Sequence, residues 1–289
     1  MEMPRVQKTL LGSGLVNLLF TLFTAYVLTL VAIRLFEPHL IFFPNYPGRL
    51  EGDWHPRNLP IQEIWLRSSD GTKLHAWWIP NPQAKFTFVA FHGNASNIAN
   101  RTSVYEFLRD TPANVFALEY RGYGHSEGKP SEAGFYRDAQ AAYQYLVNTQ
   151  AIAPKSIVCF GQSLGTAVAA NLAARREVGA LVMEAPFPSA ALLARKLLWF
   201  FPGLELLVRG QLNTAVRLKA ISAPILIVHC TGDPVVPFQF GQVVYRAAGN
   251  PKRFLQVSGL CHEEASLVAP AQYRSALQDF LGMVSPGMR

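Results

Sequence analysis

The chain has 289 residues, half of them hydrophobic, a formal net charge of +7 and three cysteines. That length can bury a large core, and apolar runs that recur without an internal repeat favour one main domain of about 220 to 230 residues. The lysine and arginine surplus is scattered and lacks a basic, aromatic-interleaved motif. Nucleic acid is therefore not an expected partner, and a solvated surface or one held near anionic lipid accounts for the charge.

A short tail, residues 1–8, leads into a stretch with no charged residue from Thr9 to Ile33 that is rich in Leu, Phe and Val. As a helix it is long enough to cross a hydrocarbon core of ~30 Å. A cleaved signal peptide would have a shorter apolar region and a small-x-small exit, and a terminal core helix would have little to bury against, so residues 9–33 read as a transmembrane anchor. Residues 34–60 carry prolines at 38, 44, 47, 56 and 60 with Phe42, Phe43, Tyr46 and Trp54 between them. That density of proline predicts an extended connector, whose aromatics suit the membrane interface or a hydrophobic groove on the domain.

Residues 61–289 alternate apolar, β-branched or aromatic runs with helical patterns, which predicts an α/β domain with a mostly parallel sheet. Eight strands are expected, at 61–67, 73–80, 86–91, 115–120, 156–160, 180–184, 225–230 and 253–257. Ser69-Asp70-Gly71-Thr72 makes a hairpin turn between the first two. Helices are expected at about 96–109, 132–149, 164–176, 238–248 and 264–283.

Gly161-Gln162-Ser163-Leu164-Gly165 stands at the junction of the fifth strand and an Ala-rich helix. A serine in such a strand–turn–helix elbow is thrust out of the sheet, and the glycines remove Cβ atoms that would clash in the turn. A serine hydroxyl needs a base to take its proton, and the base needs a third group to orient it. His262 is the one histidine beyond Asp233. Of the carboxylates between Ser163 and His262, Asp233 and Glu184 directly end apolar strand-like runs; Asp233 is the preferred acid. The order Ser163, Asp233, His262 is that of the α/β-hydrolase fold, and all three fall just after strands, where active groups gather in such sheets. Singly, each has a plainer reading, as a turn serine, a loop histidine or an Asp-Pro turn.

Three stretches together, Phe91-His92-Gly93-Asn94-Ala95-Ser96-Asn97, Tyr120-Arg121-Gly122-Tyr123-Gly124-His125-Ser126-Glu127-Gly128 and Gly161-Gln162-Ser163-Leu164-Gly165, resemble α/β-hydrolases of the Bem46 group, which includes ABHD13-like and ABHD17-like proteins. The resemblance covers about residue 38 to the C-terminus. It implies serine hydrolase activity on acyl esters or thioesters, with Ser163 as nucleophile, Asp233 as acid and His262 as base. It also implies an oxyanion hole made by the backbone N–H groups of Asn94 and Leu164, with His92 bracing the loop. The chain departs from the group at Glu119, where an aspartate is usual, and at Cys230 and Cys261, where glycine is frequent. Gly122-x-Gly124 with Gly128 lacks nucleotide-binding spacing and reads as a tight loop beside the site.

Residues 186–224 fall where this fold inserts a lid. The segment carries Leu192, Leu193, Leu197, Leu198, Trp199, Phe200, Phe201, Leu204, Leu206 and Leu207, interrupted by Arg195, Lys196 and Arg209. An acyl-chain channel, a membrane-facing cap and an ordinary packed helix all fit that composition. Cys159, Cys230 and Cys261 form no zinc pattern and the histidines lack metal spacing, so no cofactor or metal is expected. The loops bearing Asp233 and His262 should bring Cys230 and Cys261 near each other, either as a disulfide or as two reduced residues. The expectation is thus a membrane-anchored α/β-hydrolase with an acyl or lipid-like substrate. A serine peptidase or amidase, and a non-catalytic membrane scaffold, are the rivals. Charges flanking the apolar stretch nearly tie, and the free amine tilts the amino end to the cytoplasm and the domain outside or into a lumen.

Overall fold

Strict alternation along the central strands decides the architecture. In the computed structural model, which describes residues 5–199, 201 and 212–284, strand β3 (Phe86–Phe91) sends Val89 and Phe91 into one hydrophobic cluster and Phe88 and Ala90 into another. Strand β4 (Ala113–Leu118) divides Phe116 and Leu118 from Val115 and Ala117 in the same way. Successive side chains of a strand point to opposite faces, so strands apolar throughout need cover on both.

The remaining strands are β1 (Gln62–Arg67), β2 (Lys73–Ile79), β5 (Ile157–Gln162), β6 (Ala180–Glu184), β7 (Ile225–Cys230) and β8 (Lys252–Val257). They form an eight-stranded sheet in the order β1-β2-β4-β3-β5-β6-β7-β8. Strand β2 pairs antiparallel with both β1 and β4, and the pairs from β4 to β8 are parallel. The β1–β2 hairpin closes where Ser68 N–H donates to the Thr72 carbonyl at 2.9 Å, with Gly71 at φ +84°, a conformation that favours glycine.

The long N-terminal helix α1 spans Arg5–Ile41. On the domain, α2 (Thr102–Arg109) covers one face of the sheet, and α3 (Glu132–Asn148) and α4 (Leu164–Ala173) cover the other. Every residue of α4 is buried, which its small Ala and Gly side chains permit. After β6 come α5 (Ala190–Leu197) and α6 (Thr214–Arg217); α7 (Phe238–Ala247) follows β7, and α8 (Ala265–Val268) and α9 (Pro270–Val284) complete the domain. Helix α9 joins α2 on its face through Tyr273, Leu277 and Phe280.

The strands match the sequence reading to within two residues at their ends, while three helical expectations change. Helix α1 passes Pro38 and ends at Ile41, so the first part of the expected 34–60 connector is helical. A proline one turn from a helix end removes a hydrogen bond there without dividing the helix. The 96–109 helix splits into a 3-10 turn, Ile98–Asn100, and α2: the Asn97 side chain caps the turn, and Arg101 at φ −115°, ψ 15° breaks the spiral. The 264–283 helix divides before Pro270, which lacks an N–H and starts α9. Beyond Ile41 the connector lies on the domain: Phe42 is buried against Phe135, and the Trp54 ring packs edge-on to Trp77. Of the expected lid, Phe200, Leu204, Leu206, Leu207 and Arg209 lie outside the described residues.

Candidate active site

The elbow is built by exclusion. Ser163 sits between β5 and α4 at φ +48°, ψ −114°, in the left-handed region that L-residues rarely adopt. Its N–H donates to the Glu184 carbonyl at 2.9 Å, tying the strained residue to β6. A Cβ at Gly161 would drive into the Gly165 carbonyl, and one at Gly165 into the Phe91 carbonyl. The two glycines therefore let α4 start against β3, with no room left for a methyl group. Among the described residues Ser163 Oγ makes no hydrogen bond.

The expected acid and base, Asp233 and His262, lie on the loops after β7 and β8, which are laced together. Thr231 N–H donates to Val257 O at 2.8 Å and Gly232 N–H to Gly259 O at 3.0 Å. Cys230 and Cys261 form a disulfide with Cα atoms 5.7 Å apart, the first of the two arrangements expected for that pair. His262 Nδ1 faces Asp233 Oδ2 at 2.8 Å. With Asp233 ionised, Nδ1 carries the proton and donates, leaving Nε2 as the acceptor a general base needs. The Asp233 carboxylate also accepts the N–H groups of Val235 and Val236, each at 2.8 Å. Burial works against its charge, but hydrogen bonds from His229, His262 and Val236 hold its pKa well below the usual carboxylate range. For His262, burial opposes the imidazolium; the hydrogen bond to Asp233 and the nearby carboxylates of Glu263, Asp233 and Glu264 outweigh it and raise the pKa above its ordinary value.

Glu184, the other candidate acid, faces elsewhere. Its carboxylate accepts Ala265 N–H at 2.9 Å and Gln162 Nε2 at 3.2 Å, and burial pushes its pKa up to about 8. It fastens the base loop to β5 and β6 without touching the imidazole.

The proposed oxyanion loop is held from three sides. Asn94 N–H makes no backbone hydrogen bond among the described residues, and Leu164 N–H is the first of α4, where helix N–H groups have no partner within the helix. The Asn94 side chain donates from Nδ2 to the Ile41 carbonyl at 2.5 Å and accepts Tyr123 Oη–H at 3.1 Å. Phe43 forms an isolated β-bridge with Ala95. His92 Nε2 lies 3.0 Å from Glu119 Oε1 with both side chains buried, an ion-pair distance without hydrogen-bond alignment. Glu119 Oε2 in turn accepts Ile98 N–H at 3.1 Å. The glutamate at this position thus reaches the loop that His92 braces. Arg121, from the Tyr-Arg-Gly-Tyr-Gly stretch, is bound by Asp138 and Asp70, each at 2.7 Å, and so pins that glycine-containing loop to α3 and the β1–β2 turn.

Three contributors escaped the sequence reading. His229 Nε2 lies 3.0 Å from the Val236 carbonyl, which can only accept, so Nε2 holds the proton; the same atom is 3.3 Å from Asp233 Oδ2. Asp233 is therefore flanked by two imidazoles. Arg101 pairs with Glu263 and donates to Ala95 O at 3.2 Å, joining the residue after His262 to the oxyanion loop. The Arg101–Glu263 pair crosses 162 residues of sequence, whereas His229 stands four residues before Asp233, inside a buried apolar strand whose pattern does not single it out.

A family model for the alpha/beta hydrolase fold matches residues 87–216. The chain is 35% identical over 300 aligned residues to the alpha/beta hydrolase domain-containing protein WAV2 of Arabidopsis thaliana, covering 95% of this chain and 97% of that protein. It is 31% identical to alpha/beta hydrolase domain-containing protein 17B of Homo sapiens, over 76% of this chain and 75% of that protein. Among solved structures, an esterase of Pyrococcus furiosus shares the fold with a TM-score of 0.68 at 23% identity, covering 83% of this chain and 99% of that one. The chain belongs to the α/β-hydrolase family, in the Bem46 group with the 17B-like domain proteins.

Proposed function

We propose that the protein is a membrane-anchored serine hydrolase that cleaves acyl esters or thioesters through an acyl-enzyme. One observation carries the reading: the strained Ser163 elbow shares the carboxyl edge of the sheet with a His262 whose Nδ1 is 2.8 Å from a buried, ionised Asp233. Ser163 Oγ attacks the carbonyl carbon while His262 Nε2 takes its proton. The N–H groups of Asn94 and Leu164 receive the developing oxyanion, and losing one such donor typically costs on the order of 100 to 1000-fold in rate. The imidazolium then gives its proton to the departing oxygen or sulfur, leaving an acyl-serine. Water attacks that ester, His262 takes the water's proton, and its return to Ser163 Oγ releases the acid.

Helix α1 is long and apolar enough over Gly14–Phe36 to cross a bilayer, which supports the anchor. The Cys230–Cys261 disulfide favours an oxidising compartment for the domain, supporting an outside or lumenal placement. A panel of p-nitrophenyl esters and acyl-thioesters of varied chain length, with fluorophosphonate labelling of wild type and Ser163→Ala, tests the activity. Turnover and labelling that both vanish in Ser163→Ala are expected; a wild type inert to every substrate and probe would overturn it. Protease protection of the domain in intact cells, lost on permeabilisation, would contradict the outward orientation.

A further inference from the structure

Helix α5 lacks the usual buried stripe. None of its residues is buried: Ala190 and Leu193 touch the core, while Leu192, Leu197 and the following Leu198 and Trp199 are exposed, Trp199 at 79%. A helix capping a water-facing site should turn its polar side outward. Here leucines lie on both sides, Leu193 against the domain and Leu192 and Leu197 away from it, with Arg195 and Lys196 in the last turn.

The same segment meets α1. The Phe201 ring stacks on Tyr26 with centroids 5.1 Å apart. On α1 the half-buried positions within the apolar span include Tyr26, Leu30, Ile33 and Arg34, whose spacing of four, three and one places them on one side of a helix. At 1.5 Å per residue, Tyr26 lies about 15 Å from Phe36, where the Gly14–Phe36 span ends. A side chain stacked there is well inside the depth that the span defines. The attachment of α1 to the domain is also short, since Asn94 already binds the carbonyl of Ile41. Five residues of helix, about 8 Å, separate the end of the span from the loop beside Ser163.

We infer that α5, Leu198, Trp199 and Phe201 are embedded in the same bilayer as α1, so that the expected lid after β6 presents a hydrocarbon-binding surface. The occupant is lipid: the exposed leucines and Trp199 continue the apolar surface of α1, and Arg195 and Lys196 can extend their charged ends to the headgroups. This rests on the reading of α1 as a membrane span, and it makes bilayer-resident acyl chains the substrates with the shortest path to Ser163.

The test is quenching of tryptophan fluorescence by phosphatidylcholine brominated along its acyl chains, with the full chain reconstituted in vesicles and alkaline carbonate extraction run in parallel. Trp199 is one of five tryptophans; the other four, Trp54, Trp65, Trp77 and Trp78, belong to the connector and to β1 and β2. Wild type should lose about a fifth of its emission to brominated lipid relative to unbrominated lipid, and Trp199→Phe should lose almost none. Leu197→Glu should reduce the quenching while fluorophosphonate labelling of Ser163 persists, since a charge in hydrocarbon is costly. Equal quenching of wild type and Trp199→Phe in protein that resists carbonate would overturn the embedded cap and leave the anchor standing. Release by carbonate would overturn the anchor and the cap together. Neither outcome depends on Ser163 being active.

Discussion

The elbow around Ser163 and the apolar surface of α1 and α5 obey different rules. At the elbow, space is the constraint: glycines at 161 and 165 admit no Cβ, Ser163 is held at positive φ, and Asp233 has its oxygens taken by His262, Val235 and Val236. Along α1 and α5 the constraint is solvent. A Cβ added at Gly14 would meet nothing within 4 Å, and Leu15, Phe20, Phe23, Leu197 and Trp199 are all exposed. Contiguous apolar surface of this kind marks a binding surface in a folded protein. One region is shaped from within the protein, the other by what lies outside it. Substitutions should divide the same way, strongly felt at the elbow and nearly silent for domain stability on the helices.

After loss of the Ser163 hydroxyl itself, the largest effect should come from Asp233→Asn. Releasing the imidazole into the wrong tautomer costs about 10,000-fold in turnover, or ~5 kcal/mol, in comparable triads. Steady-state ester hydrolysis by the folded variant checks it. Reducing the Cys230–Cys261 bond, or replacing both residues by serine, should cost about 3 to 4 kcal/mol for a loop of 31 residues; chemical denaturation with and without reductant reads the difference. Gly165→Ala should destabilise the domain by about 3 kcal/mol, because the methyl meets backbone that cannot turn aside, whereas Gly14→Ala should leave its midpoint unmoved.

The pH dependence is a smaller and sharper probe. His262 must be neutral to act as base, and its pKa is raised, so activity should rise with pH through a midpoint above the ordinary histidine value. Glu263→Gln removes one of the raising carboxylates and should move that midpoint down. The sign for stability is opposite: a raised histidine pKa stabilises the fold below its unfolded value and loses that contribution as pH climbs through the folded one. The smallest effect should be Leu197→Glu, within about 0.5 kcal/mol for the domain in detergent, since no described core contact is lost.

What the sequence disclosed follows the reach of each signal. The strands of the sheet, the Ser163 elbow and the hairpin at Gly71 rest on short-range patterns and were legible. Helix breaks were read less well. Pro270 is a local signal that the helical pattern around it obscured, and the break at Arg101 depends on Asn97 capping the turn before it and on pairing with Glu263. Pro38 is a breaker by its chemistry, yet α1 continues past it to Ile41. The partners of the site were the least visible: His229 looks like any residue of a buried strand until the fold sets it beside Asp233. The Asn94 side chain finds the Ile41 carbonyl across 53 residues, a contact made only once the connector lies on the domain.

The most direct test of the central claim is fluorophosphonate labelling, with ester turnover measured alongside, of purified wild type and Ser163→Ala under identical conditions. Removing the hydroxyl from an elbow empties no cavity of consequence, so the variant should keep the wild-type fold, show no labelling and lose several orders of magnitude in turnover. Retention of more than about a tenth of wild-type hydrolysis by folded Ser163→Ala would contradict the assignment of Ser163 as the nucleophile.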